Sequence, residues 1–217
     1  MIDKPAKIAN RIIIKLQIFL LVFGLFLSTN SHAAEILGVH FQDNYKEEGI
    51  HLSLQGIGVK TSFFIKVFVA GFYKDDRIAT NILGQYVKKI EVEYFVNISA
   101  EKMNDFTIKS MRRNISSSEF EQITEQIALM NQYFVDLKPG DRYALTFIPN
   151  VGTRFIYNGQ LLGTIKGATF AKALFSTWLG EKPFDRKLKN KILGKDSSQH
   201  FAKQKIVLST VLPKDIP

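Results

Sequence analysis

The segment that most constrains the fold is residues 61–73, which read TSFFIKVFVAGFY. β-Branched and aromatic residues fill this segment, and thirteen residues is long for a single strand. The odd-numbered positions from 63 to 69 are all apolar, whereas the even-numbered positions include Ser62 and Lys66. This alternation predicts one long strand, with one face on a core and the other partly lined or solvated.

Other segments predict partner strands for an antiparallel sheet. Residues 51–55 and 89–97 alternate in the same way, residues 142–148 predict another strand, and residues 35–41 predict a further short one. Residues 154–157 and 160–165 flank Asn158-Gly159, which is the strongest short signal for a β-hairpin. Gly56 and Gly58 read as a turn that joins two strands.

Helical periodicity occurs in separate runs. Ser99 is placed to cap one helix, and Ser116 with Glu119 has the spacing of a capping box at the start of another. Pro183 suits the first turn of a helix near the end of the chain. The predicted helices are residues 78–83, 100–113, 116–134, 169–179 and 183–193. Strands and helices that come in runs, with antiparallel hairpin signals, predict the α+β class.

The first 33 residues have the three parts of a secretory signal. Four basic residues precede position 16, residues 16–27 contain only Gln17 as a polar residue, and Ser31-His32-Ala33 offers small residues at a cleavage site. The apolar run is shorter than the roughly 20 residues that span a bilayer. We therefore expect cleavage after Ala33, export to the periplasm and no stable membrane span afterwards, rather than an uncleaved anchor.

Removal of this segment leaves one predicted domain, residues 34–194, and a polar tail, residues 195–217. The segment holds four of the 29 basic and one of the 20 acidic residues, so the remainder has a net charge of +6. Such an excess favours anionic partners weakly. The chain has no cysteine, so the core must stabilise it, and 46% hydrophobic residues with 18 Phe can supply one. No nucleic-acid-binding motif accompanies the charge.

Familiar catalytic and cofactor patterns are missing from the sequence. The four histidines are scattered, without the spacing of a metal site, and there is no G-x-S-x-G nucleophile elbow. The pair Gly56 and Gly58 lacks the third glycine of a dinucleotide fingerprint. We expect no metal and no cofactor, and the sequence predicts no particular protein partner.

Several short motifs, taken in order and spacing, nevertheless form a specific set. Residues 54–60 (LQGIGVK) and 67–73 (VFVAGFY) open it, and residues 139–141 (PGD), the Asn158-Gly159 hairpin, residues 175–180 (FSTWLG) and residues 188–194 complete it. Over residues 35–194 the chain resembles bacterial chalcone isomerase-like domains. The resemblance implies an open-faced β-sandwich, in which a large antiparallel sheet is covered on one face by a layer of helices.

The resemblance also implies a site in the cleft between sheet and helices. Plant chalcone isomerases cyclise a phenolic enone there, and a related branch of the superfamily binds fatty acids. The family's anion-binding arginine falls on Lys60, which keeps the charge but loses the two-pronged guanidinium. The position of the family's catalytic threonine corresponds approximately to Phe68. The positions of its tyrosine and asparagine correspond approximately to Met103 and Ser110. Thr177 matches a position that lines the family's pocket.

These carry-overs disfavour cyclisation, because a developing oxyanion needs preorganised donors and two are replaced by apolar side chains. Three hypotheses stay open: a non-catalytic binder of a small amphipathic anion such as a fatty acid, an isomerase (intramolecular lyase), and a structural or partner-binding envelope protein. Arg112, Arg113 and Arg154 are alternative anion contacts. The predicted ligand-binding residues are Lys60, Phe64, Phe68, Met103, Phe106, Ser110 and Thr177.

Overall fold

A computed structural model of the chain describes residues 33–47, 49–77 and 81–195. The described residues belong to a unit that begins at Ala33. The predicted secretory signal and the tail lie outside them, apart from Ala33 and Lys195. Cleavage after Ala33 and the role of the tail therefore stay predictions.

Seven strands form one antiparallel sheet in which every strand pairs with its neighbour in sequence. Their order across the sheet is β3 to β9 without a crossover, and strands β1 and β2 form a separate hairpin. The strands are β1 Ala33–Ile36, β2 Val39–Gln42, β3 Asn44–Glu47, β4 Ile50–Ser62, β5 Ile65–Lys74, β6 Lys88–Tyr94, β7 Arg142–Ile148, β8 Gly152–Tyr157 and β9 Gln160–Ile165.

Five helices in the described part of the chain accompany this sheet. They are α1 Ala100–Arg112, α2 Ser117–Glu121, α3 Thr124–Tyr133, α4 Ala168–Leu179 and α5 Arg186–Ile192. Ser99 caps α1, and Ser116 and Glu119 form a capping box at α2, as predicted. The predicted fold class, an antiparallel sheet with a layer of helices on it, is confirmed.

Alternate residues of the strands build two cores on opposite faces of the sheet. The larger core lies under the helices and contains Phe72, Ile90 and Phe155 with the helix residues Met111 and Phe175. The smaller core lies under the β1–β2 hairpin, where Phe41 packs with Val69 and Tyr73. The hairpin thus covers part of the face that a sheet with helices on one side leaves open.

The prediction of one long strand over residues 61–73 is wrong. Strand β4 runs to Ser62, the chain turns at Phe63 and Phe64, and β5 returns from Ile65, which pairs with Ser62. The apolar alternation continues through the turn because both turn residues are phenylalanines instead of the usual Asn and Gly. No local signal therefore marked the reversal.

The prediction of a turn at Gly56 and Gly58 is also wrong, since both lie inside β4. Helix α5 packs directly on the backbone at these positions. A Cβ at Gly56 would overlap the carbonyl oxygen of Lys191, and one at Gly58 would lie 2.9 Å from Cδ1 of Leu188. The two glycines therefore permit a close approach of helix and strand, which is the other meaning of glycine in a strand.

Several element boundaries differ from the predictions. The strand expected at residues 35–41 is the β1–β2 hairpin, which turns at Leu37 and Gly38. The helix expected over residues 116–134 is divided into α2 and α3. Helix α5 begins after Asp185, which caps it, instead of at Pro183. Of the helix predicted at residues 78–83, the described residues 81–83 form a turn, and the others lie outside the described part.

Candidate ligand-binding cleft

A cleft of about 380 Å³ opens between the sheet and the helices. Strands β4 to β7 line it on one side, and helices α1 and α4 with the segment before α5 line it on the other. It exists because side chains of the larger core do not meet completely between α1 and the sheet. Its volume falls within the range of about 300–1,000 Å³ that is typical of small-molecule sites.

The inner surface of the cleft is apolar. Val92 on β6, Leu145 on β7 and Leu174 on α4 line it, and each is buried. These residues occupy the strand and helix positions that face the larger core, so the same periodicity that builds the core also lines the cleft. An apolar segment of a ligand would find a surface already withdrawn from water.

A cluster of four aromatic rings forms one wall. The ring centroids of Phe68 and Trp178 are 5.7 Å apart, those of Trp178 and Phe184 are 4.8 Å apart, and those of Phe184 and Phe106 are 5.2 Å apart. The last two pairs meet edge to face, which is a preferred geometry for aromatic pairs. The cluster runs from buried Phe68 to Phe106, which is 51% exposed at the rim.

Two of the hydroxyl groups near the cleft are engaged by the protein itself. The Thr177 hydroxyl donates to the carbonyl oxygen of Leu174 at 2.7 Å, and the Tyr143 hydroxyl donates to that of Tyr133 at 2.8 Å. The hydroxyl of Tyr94 forms no hydrogen bond with any residue that the structure describes. Burial raises the pKa of Tyr94 above its ordinary value, so this phenol is a neutral donor at physiological pH.

Lys60 reaches the cleft but is not a free cation. Its Nζ atom donates to Oδ2 of Asp185 at 2.8 Å, and the other oxygen of Asp185 accepts from the backbone N–H of Leu188 at the start of α5. Burial by itself would raise the pKa of Asp185, but the hydrogen bonds from Lys60 and from the helix amides outweigh it and lower that pKa. The carboxylate is therefore charged and largely neutralises Lys60.

A second cation lies at the rim. Lys102, in the first turn of α1, is exposed and lines the cleft with Ser62 and Phe106. Lys60 and Lys102 are the cationic residues of the lining, which contains no carboxylate. Because Asp185 largely neutralises Lys60, the positive charge of the opening comes mainly from Lys102.

Five of the seven predicted site residues line the cleft: Lys60, Phe68, Met103, Phe106 and Thr177. Their contact with a ligand stays a prediction. The structure places the other two elsewhere, and the reasons differ.

Phe64 is at the β4–β5 turn and is fully exposed, because the strand that was predicted to carry it into the cleft reverses there. Ser110 is buried outside the cleft lining, where its Oγ atom accepts a hydrogen bond from Arg113 at 3.1 Å. Arg112, Arg113 and Arg154, the alternative anion contacts, are not part of the lining either.

Tyr94, Lys102 and Phe184 line the cleft but were not predicted as site residues. Tyr94 shares a strand face with Ile90 and Val92, so the alternation of residues 89–97 carried a signal for it. Lys102 precedes Met103 on the same helix. Phe184 lies in a loop that was read as helix, so no sequence pattern indicated where its ring would point.

Within residues 33–47, 49–77 and 81–195, no group of three or more His, Asp or Glu residues is arranged to hold a metal ion. Among the same residues, no helix is long and apolar enough to span a membrane.

An antiparallel sheet with helices on one face and an apolar cleft between the layers defines an open-faced β-sandwich protein. Comparison with protein families identifies the family to which the chain belongs. The chain belongs to the chalcone isomerase-like family, whose model matches residues 33–194. The predicted family is thus confirmed, whereas bacterial origin stays a prediction.

A solved structure with the same fold is that of a fatty-acid binding protein from Arabidopsis thaliana. It is 15% identical, the match covers 78% of this chain and 100% of that chain, and the TM-score is 0.58. At this identity the match shows the shared fold. No curated protein sequence matches the chain significantly.

Proposed function

We propose that this protein is a non-catalytic binder of a small amphipathic anion, such as a fatty acid, and that it acts in the periplasm after export. The observation that carries the proposal is the open, apolar cleft of about 380 Å³ with cations at its rim. A structural role would require no such space, because a core of this size can be filled by its own side chains.

The apolar part of the ligand would lie against Val92, Leu145 and Leu174, in a preformed surface that needs little rearrangement. Its anionic group would lie at the rim, because moving a carboxylate into an apolar interior is costly unless it is paired. Lys102 supplies the positive charge there, Lys60 adds the part of its charge that Asp185 does not neutralise, and the Tyr94 hydroxyl supplies a neutral donor. The fatty-acid binding protein of Arabidopsis thaliana with the same fold supports this ligand class.

The polar groups of the cleft favour binding over cyclisation. Stabilising a developing oxyanion requires donors that are free and aimed at one point. The hydroxyls of Thr177 and Tyr143 already donate to backbone carbonyl oxygens, and Lys60 is paired with Asp185. Tyr94 alone among these groups has an unengaged hydroxyl in the described structure. A cleft in which most of these donors are already engaged suits recognition of a ligand better than an isomerase reaction.

Native mass spectrometry of the protein purified from its own cell envelope tests the proposal. We expect a bound species that organic extraction identifies as a fatty acid or a related anion. The same preparation gives the mass of the mature chain and so tests cleavage after Ala33.

A variant that fills the cleft makes the test specific. Thr107 lines the cleft and is half-buried on α1, so Thr107→Trp should occupy the space and abolish binding of added lauric or palmitic acid. Asp105→Trp is the matched control, because Asp105 is exposed on the same helix and does not line the cleft. Equal fatty-acid binding by Thr107→Trp and wild type would refute the cleft as the site. If no ligand co-purifies with the protein and no added fatty acid binds to it, a structural or partner-binding role would be favoured.

A further inference from the structure

The turn between β4 and β5 presents a group of apolar side chains to solvent. Phe63 is 93% exposed, Phe64 is 100% exposed and Ile65 is 59% exposed. We call these three residues the aromatic tip. Exposed apolar residues that stand singly are common, but three consecutive ones at the end of a hairpin mark a contact surface.

The β4–β5 turn requires positive φ angles, but it does not require phenylalanines at these positions. Phe63 and Phe64 have φ angles of 45° and 68°, in the left-handed region that bulky residues avoid. A two-residue hairpin turn of this kind normally contains Asn and Gly. Because the rings are almost fully exposed, packing within the chain does not compensate for the strain. Strained residues of this type concentrate at functional sites.

The aromatic tip lies beside the mouth of the cleft. Ser62, directly before the tip, and Val67, two residues after it, both line the cleft. Phe106, at the rim of the same cleft, is also half exposed. The exposed apolar surface is thus continuous with the opening through which a ligand would enter.

The charged residues around the tip indicate which kind of surface it contacts. Lys66 directly follows the tip and is exposed, and Lys102 is exposed at the rim. Lys60 lies three residues before the tip, and it pairs with the nearby carboxylate of Asp185. Aromatic side chains beside lysines suit the interface of an anionic phospholipid bilayer, where rings enter the headgroup region and lysines meet the lipid charge.

We infer that the aromatic tip inserts into the surface of an anionic phospholipid bilayer and holds the mouth of the cleft against it. An amphipathic ligand then passes between bilayer and cleft without crossing water. The passage of ligand rests on the proposed function, whereas the docking of the tip does not.

Binding to vesicles tests the docking. Wild-type protein is expected to co-sediment with vesicles of phosphatidylglycerol and phosphatidylethanolamine, and less strongly with phosphatidylcholine alone. The double substitution Phe63→Asn and Phe64→Gly keeps the turn geometry but removes both rings, and we expect binding at least about tenfold weaker. Leu161→Ser is the matched control, because Leu161 is 53% exposed on β9 and does not line the cleft. Wild type and all variants have the same N-terminal segment. Differences in vesicle binding between them therefore report the altered side chains.

A spectroscopic probe locates the tip in the bilayer. Phe64→Trp should give a blue-shifted emission with vesicles and be quenched by brominated lipids, beyond the signal of the native Trp178. An unshifted emission from a vesicle-bound protein would overturn the inference, because it would place the tip in water.

Two further outcomes are decisive. Equal vesicle binding by the Phe63→Asn, Phe64→Gly variant and wild type would overturn the inference. So would a wild-type protein that self-associates through the tip and ignores vesicles, with a monomeric double variant, since the occupant would then be a second copy. Thr107→Trp should bind vesicles normally while losing fatty acid. Failure of the cleft proposal is thus distinguishable from failure of the docking.

Discussion

Lys88 is a buried lysine whose charge the fold does not pair. It is 1% exposed at the start of β6, and its Nζ atom donates to the carbonyl oxygen of Gly84 at 2.5 Å. The ammonium also lies 4.3 Å from the ring centroid of Tyr86. No carboxylate among the described residues forms a salt bridge with it. Burial lowers the pKa of Lys88 from 10.5 to about 8.

The substitution Lys88→Met should therefore stabilise the protein at neutral pH. The pKa of Lys88 is lower in the folded than in the unfolded chain, so the penalty is complete below about pH 8 and disappears as the pH rises through 10.5. A shift of this size corresponds to a penalty of about 3 kcal/mol. Losing the hydrogen bond to Gly84 costs about 1 kcal/mol, so we expect a net gain of about 2 kcal/mol at pH 7. Near pH 10.5 the gain should vanish or reverse.

Urea unfolding, followed by the fluorescence of the single tryptophan Trp178 over a pH series, measures this difference. Lys89→Met is a matched control, because neighbouring Lys89 is also buried but is paired with Glu91 at 2.9 Å. Its removal should destabilise the protein, since it leaves the half-buried carboxylate of Glu91 less well paired. The reasoning would be refuted if Lys88→Met were destabilising by the same amount at pH 7 and pH 10, because the charge of Lys88 would then carry no penalty.

Three further substitutions test other parts of the structure. Replacing Phe63 and Phe64 by Asn and Gly should raise the free energy of unfolding by about 1–2 kcal/mol, because these residues tolerate positive φ; a loss of stability in urea would contradict this. Gly56→Ala should cost more than about 2 kcal/mol, because its Cβ overlaps the backbone of α5; an unchanged urea midpoint would show that α5 can move away. Asp185→Asn keeps a good helix cap but frees Lys60, so binding of lauric acid, measured calorimetrically, should tighten about fivefold. Unchanged affinity would show that Lys60 does not meet the carboxylate.

Features that depend on neighbouring residues were predictable from the sequence. The capping box of Ser116 and Glu119 connects residues three apart, and the Asn158-Gly159 turn needs only two residues that accept positive φ. The alternation of residues 89–97 gave the face of β6 that lines the cleft. Interactions of this short range are encoded where they occur, so a single sequence carries them.

The resemblance to the family gave the cleft and four of its lining residues, and the apolar stripe of α1 gave Phe106, but neither gave the environment of those residues. Lys60 was predicted as a free anion contact, yet Asp185, 125 residues further along the chain, neutralises it. Only the structure likewise distinguishes the unengaged hydroxyl of Tyr94 from the hydroxyls of Thr177 and Tyr143, which donate to backbone carbonyl oxygens. Which polar groups of a cleft are free is a property of the packed chain.

The sequence by itself determined the α+β class and most helices and strands, because periodicity, caps and turn residues act locally. The family, and with it the expectation of a cleft between sheet and helices, came from the resemblance of an ordered set of motifs to chalcone isomerase-like domains. The tertiary structure decided what glycine and phenylalanine do at critical points. Gly56 and Gly58 are needed because α5 packs on them. The sequence of β4 does not indicate that a helix from the end of the domain lies there. Phe63 and Phe64 end a strand that their own side chains favour continuing. The pairing of β4 with β5 and the loss of water from the core outweigh that local preference, because many contacts across the sheet act together against two residues.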